Sequence, residues 1–161
     1  MDPLAQEILT ELIAAALESE QLRMEAEALK ARPRLAEMPE QSFQEGLFLL
    51  KTAGRLTNVT GTPKIVAFTL NHRWLVRHLL EKDPGFSAII RAVVDELLKG
   101  SSMHSDTLAR AVRQKEFLVR CAVLSLRDEG RVTIGIANNE EKVVGPIKGK
   151  PAELRTWLKT H

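Results

Sequence analysis

The sequence predicts a mainly α-helical protein with one small β-hairpin towards its C-terminal end. Three observations carry that expectation. Aromatic residues make up only 4% of the 161, with five Phe, two Trp and no Tyr, so a core must be built from Leu, Val, Ile and Ala. Residues 3–31 contain no glycine and are dense in Ala, Leu, Glu and Gln, all strong helix formers. After Gly130 the spacing of apolar residues changes from helical to alternating. At 18.0 kDa the chain is long enough for one ordinary domain, or for a small domain with a helical extension. Hydrophobic residues at 44% and charged residues at 27% exclude a largely disordered chain.

In chain order, residues 3–31 read as one long helix. Its first half places Ile8, Leu9, Leu12, Ile13, Ala16 and Leu17 on a wide apolar face. Ile8, Leu12, Ala15, Ser19, Leu22, Ala26 and Leu29 also fit a three-and-four repeat, weak at Ala15, Ser19 and Ala26, that suits a short coiled-coil seam. The helix can pack on its own domain or pair with a second copy. Its reach of roughly 40 Å favours pairing, through Ile8, Leu12, Leu22 and Leu29. Pro33 should stop it and open a linker over 32–39. Ser42 can cap a second helix to about residue 53, with Phe43, Leu47, Leu49 and Leu50 apolar and Gly54 at its end. The Thr-, Asn- and Gly-rich stretch 56–63 reads as a loop. Residues 65–70 suit a strand or a buried helix start, and Asn71 caps a helix to Lys82.

Pro84 and Gly85 mark the next break. Residues 86–99 follow with Ile89, Ile90, Val93, Val94, Leu97 and Leu98 at helical spacing, stopped by Gly100, and 101–105 read as a turn. Ser105 or Asp106 caps a short helix to about Arg113, and a third helix runs from about Glu116 to Glu129. Residues 131–137 form a period-two strand with Val132, Ile134 and Ile136 on one face. Asn138 and Asn139 suit a hairpin turn, 142–147 return, and Pro151 can open a short final helix carrying Leu154, Trp157 and Leu158.

Three helices, the second short, followed by a hairpin are the order of the winged helix-turn-helix superfamily, and residues 85–148 resemble it. The resemblance rests on the run "DTLARAVRQKEFLVRCAVLSLRDEGRVTI" from Asp106. Leu108 and Ala109 match the apolar and small positions of the second helix, Val119 and Ala122 match buried positions of the third, and Leu124 to Val132 matches the passage into the wing. Where the superfamily usually has glycine then an apolar residue between its second and third helices, this chain has Arg113 and Gln114. The organisation expected is thus a helical region over 1–61, for dimerisation or packing, then a winged-helix domain over 62–161.

The resemblance implies a DNA-binding function. The third helix of such folds enters the major groove. Lys115, Glu116, Arg120 and Arg127 are its candidates, with Glu116, Arg120, Val123 and Arg127 on one face, opposite Leu118, Cys121, Ala122 and Ser125. Arg120 can read guanine and Glu116 can accept from cytosine. Arg110, Arg113, Lys142, Lys148 and Lys150 would contact phosphates. Charge distribution points the same way: residues 1–61 carry six basic and ten acidic side chains, whereas 62–161 carry seventeen and eleven. The expected function is a dimeric regulator or DNA-organising accessory factor bound to double-stranded DNA. The alternative is a winged-helix interaction subunit of a larger complex with no direct DNA contact, which suits the acidic tip at Glu140 and Glu141.

Other chemistry finds little support. The lone Cys121 excludes an internal disulfide, and His72, His78, His104 and His161 lack ligand spacing, so no metal, cofactor or enzymatic activity is expected. Gly61, Thr62, Pro63 and Lys64 lack the second half of a phosphate loop. Without a membrane span or signal peptide, a cytoplasmic protein is expected.

Overall fold

The computed structural model describes residues 1–99, 103–136 and 142–144, with isolated positions at 156 and 159. The chain divides into two compact units, Met1–Leu75 and Val76–His161. The boundary therefore falls after residue 75, not 61, because residues 67–70 form the central strand of the first unit's sheet.

The first unit is built from α1 (Pro3–Ser19), β1 (Arg23–Glu25), α2 (Ala26–Lys30), α3 (Pro33–Ala36), α4 (Glu40–Thr52), β2 (Leu56–Thr60) and β3 (Ala67–Leu70). Its sheet has the order β1-β3-β2, both pairings antiparallel. Asp2 caps α1 by accepting from the amides of Leu4 at 2.9 Å and Ala5 at 3.2 Å, and Pro3 occupies the first helical position.

The single helix expected over 3–31 does not form. Glu20 adopts a left-handed backbone (φ 57°), ending α1, and Arg23–Glu25 then pair with Thr69, Phe68 and Ala67. Strand pairing overrides the helix propensity of this segment. The proposed dimer seam dissolves with it. Ile8, Leu12 and Leu29 are fully buried in the unit's own core, and half-buried Leu22 uses its carbonyl to accept from the amide of Leu70 at 2.8 Å. Pro33 opens α3 instead of closing a helix, since its fixed φ and missing amide hydrogen suit a first position. Ser42 is not a cap, because α4 already starts at Glu40. The expected loop at 56–63 contains β2, whose register shifts between Thr57 and Thr60 around left-handed Asn58.

Glycine 46 lets α1 and α4 come together: a Cβ there would overlap Ile8 Cδ1 and lie 3.8 Å from Ala5 Cα. On α4 it lies in the buried arc with Phe43, Leu47 and Leu50. That arc settles which side of α4 faces outward.

Helix α5 (His72–Lys82) carries the chain across the boundary, with Asn71 Oδ1 accepting from the amide of Arg73 at 3.0 Å as the capping reading expects. The second unit follows as α6 (Pro84–Leu97), β4 (Met103–His104), α7 (Ser105–Val112), α8 (Glu116–Asp128), β5 (Ile134–Ile136) and β6 (Lys142–Val144). Its sheet has the order β4-β6-β5. This is the winged-helix arrangement, in which the strand after the first helix joins the hairpin. Part of the turn expected at 101–105 is that strand. Phe86, Val93, Val94, Leu108, Val119 and Leu126 form the core.

The first unit has the same order: helix, strand, one short helix more than the second unit has, a longer helix, then a hairpin, with the central strand contributed last. The region expected to be a helical extension is itself a winged helix, with α4 in the place of the third helix and residues 61–66 as the wing.

Candidate functional site

In the second unit Arg110, Arg113, Lys115 and Glu116 lie at or beside the α7–α8 turn, and Arg120 and Arg127 follow along α8. The turn is tight because Arg113 takes a left-handed backbone (φ 56°) where glycine is usual. Arg113 and Lys115, which precedes α8, are exposed. The cations within α7 and α8 each stand beside an acid. Arg110 lies 3.4 Å from Asp106, Arg120 3.9 Å from Glu116, and Arg127 3.4 Å from Asp128. Glu116 also accepts from the hydroxyl of Ser105 at 3.5 Å, joining the start of α7 to the start of α8. A carboxylate held by these two groups is occupied within the fold.

The exposed face of α8 is narrower than its spacing suggests. Val123, expected on the polar face, is buried, while Leu118 and Ser125, expected inside, are half-buried. Buried Phe117, Val119, Cys121, Ala122, Val123 and Leu126 span a wide arc because α8 packs against both α6 and α7. Lys142 opens β6 opposite Ile136; Lys148 and Lys150, like the expected turn at 138–141 and most of the expected final helix, lie outside the described residues.

In the first unit, α4 presents a different face. Away from its buried arc stand Gln41, Glu45, Phe48 and Leu49, with Phe48 59% and Leu49 43% exposed. The wing is tied to the flank of this helix. Gln44 donates through Nε2 to the carbonyl of Ile65 at 3.1 Å and accepts from its amide at 2.8 Å, a two-way clamp, while Lys64 Nζ lies 4.0 Å from Glu40. Gly61 makes the fold-back possible. At φ +103° it occupies a region disfavoured for other residues, and a Cβ there would lie 2.7 Å from Val66 Cγ2 and 2.8 Å from Val66 N. The result is a cleft of about 750 Å³ between wing and α4, lined by the apolar Phe48, Leu49, Pro63 and Ile65 and by the charged Glu40, Glu45 and Lys64.

Sequence reasoning missed this site. Sequence spacing groups Leu49 with the apolar residues of its helix and gives Phe48 no role. The signal was present: Phe43, Leu47 and Leu50 fix one arc at 100° per residue, and both Phe48 and Leu49 fall outside it.

Cys121 is buried in α8, and burial pushes its thiol up to about 12, opposed by the nearby Arg120 charge. Such a thiol is a small core residue, not a nucleophile at neutral pH. Among the described residues no group of three or more His, Cys, Asp or Glu side chains could hold a metal ion, and no helix is long and apolar enough to cross a membrane.

No protein-family model and no curated protein sequence matches this chain. Among solved structures it is similar to the crystal structure of subunit VPS25 of the endosomal trafficking complex ESCRT-II. The two share 12% identity over 87% of this chain and 86% of that one, with a TM-score of 0.48. A likeness at that level carries no inference about activity. The element order and sheet topology of the chain are those of the winged-helix fold.

Proposed function

We propose that this protein is a winged-helix interaction subunit of a larger protein assembly, and that it makes no direct contact with DNA. One observation carries the reading: the outer face of α4, in the position of a third helix, offers Gln41, Glu45, Phe48 and Leu49. A helix entering a major groove needs cations and hydrogen-bond donors. A carboxylate beside two exposed apolar side chains is repelled by phosphate and suits a protein surface.

The second unit supports the same reading. Arg110, Arg120 and Arg127 each have an acid within 4 Å, which lowers the charge available to phosphates. With the boundary after residue 75, the first unit has eight basic and ten acidic residues and the second fifteen and eleven, a smaller asymmetry than a division after residue 61 gives.

Fluorescence anisotropy of random duplex DNA, titrated with the full chain at low and at physiological salt, tests the proposal. The expected result is no saturable binding at either salt. Micromolar binding that weakens steeply with salt, as phosphate contacts require, would overturn it.

A further inference from the structure

We infer that the cleft between α4 and the wing of the first unit is a docking site for a basic amphipathic helix of a partner protein. The inference rests on the interaction-subunit reading and makes it specific. Phe48 and Leu49 are neighbours in sequence, so they point about 100° apart and straddle the outward ridge of α4. Glu45 stands on that ridge, three residues before Phe48 and four before Leu49. The three side chains form one compact patch, apolar at the C-terminal half of α4 and acidic one turn earlier.

The charge of the patch selects the occupant. Glu40 has Lys64 at 4.0 Å, but the partner of Glu45 is the neutral amide of Gln41, whose Nε2 donates to it at 3.1 Å. Among the described residues no cation lies within ion-pair distance of Glu45. An incoming Lys or Arg therefore meets an uncompensated carboxylate, whereas an acidic segment or a nucleic-acid phosphate meets repulsion. Beside this carboxylate, Pro63 and Ile65 of the wing form the second wall of an apolar slot. A helix laid along such a slot contributes apolar anchors at three- and four-residue spacing and can place a basic side chain one turn from an anchor. The matching ligand has Leu, Ile or Phe on one stripe and Lys or Arg at its border.

The walls of the cleft are fixed before any partner arrives. The Gln44–Ile65 clamp holds the wing at a set distance from α4, and Gly61 permits the turn that brings it there. Pre-formed walls lower the ordering cost of binding.

Selection of helical peptides from a random display library on the full chain tests this. Enriched sequences should carry an apolar helical stripe bordered by Lys or Arg. A synthetic copy of the most enriched peptide should bind about tenfold more weakly to Glu45→Lys, and to Phe48→Ala with Leu49→Ala, than to the unaltered chain. Both sites are exposed, so thermal melts should show that the variants remain folded. Enrichment of acidic peptides, failure to enrich any helical peptide, or equal binding to the variants overturns the inference. So does a doubled mass in light scattering that Phe48→Asp abolishes, because the occupant is then a second copy of this chain. None of these outcomes involves duplex binding, the result that overturns the broader reading.

Discussion

The two units share one order of helices and strands yet use their third helices differently. On α8, six of thirteen residues are buried, and charged side chains sit beside opposite charges within the unit. On α4, four of thirteen are buried, and the outer face carries two exposed apolar side chains next to Glu45. The wing completes the contrast, since that of the first unit is clamped along α4 by Gln44. A common fold thus fixes the backbone path of the third helix, while the side chains beyond the buried arc decide what can approach it.

Opening the first wing should have the largest effect. Gly61→Val forces a β-branched residue into φ +103° and a Cβ into Val66, at a cost of about 3 kcal/mol. The fold offers no cheap relief, because the near atoms include backbone. Hydrogen exchange should quicken at the amides of Ile65 and Val66, which are bonded to Gln44 and to the carbonyl of Thr60. Exchange there that stays as slow as in the parent chain would mean that the wing does not depend on Gly61.

A second test separates the units by their buried charge. Glu11 on α1 is almost enclosed and is held by Arg32 Nε at 2.8 Å, with Arg34 at 3.8 Å. Arg32→Ala leaves that carboxylate with only the distant, exposed Arg34, and should destabilise the first unit by about 2 kcal/mol. Cys121 supplies an internal control. It is the only cysteine, lies in the second unit and is shielded by burial, so its alkylation reports opening of that unit. Labelling at neutral pH should be slow and unchanged in Arg32→Ala, while amides of the first unit exchange faster. Faster labelling of Cys121 in the variant would show that the two units open together.

The same contrast explains how much was legible in the sequence. The second unit could be read because its helices have long apolar repeats, such as Ile89 to Leu97, and because alternation at Val132 to Ile136 stands apart from them. The first unit hid its strands. Arg23, Met24 and Glu25 lie among helix formers, and only pairing with Ala67 to Thr69, more than forty residues away, makes them a strand. Strand β2 is Leu-Thr-Asn-Val-Thr with an irregular register, a composition shared with loops. Local spacing contains neither pairing, so the repeat of the fold emerged only in three dimensions. The predicted site was legible as residues but not as chemistry: Arg110, Arg120 and Arg127 were visible, whereas their acidic neighbours become decisive only once the helices are placed.

The turn between the second and third helices is a smaller point of difference. Arg113 is left-handed at φ 56°, a conformation that costs a side-chain-bearing residue about 1–2 kcal/mol. Arg113→Gly removes this cost and adds some unfolded-state freedom, for a net gain of about 0.5–1 kcal/mol in the second unit. Urea titration followed by Cys121 labelling should show a higher midpoint. An unchanged or lower midpoint would mean that the Arg113 side chain makes a compensating contact.

The smallest effect concerns pH and belongs to the first unit. Arg32 donates to Glu18 at 3.0 and 3.3 Å; these hydrogen bonds, reinforced by its charge, hold the Glu18 carboxyl below its ordinary value. A carboxylate depressed in the folded state contributes stability above its unfolded value, and that contribution is lost as pH falls through the folded value. The first unit should therefore lose a small increment below about pH 4.3. Because Glu18 is exposed, solvent and salt screen the pair, so the increment should shrink at high ionic strength. Glu18→Gln removes the titration. Its stability should fall less steeply with acid than that of the parent chain, and the two curves should converge in molar salt. Parallel curves at low salt would show that the Glu18–Arg32 pair adds nothing to folding, leaving Glu11 as the carboxylate for which Arg32 matters.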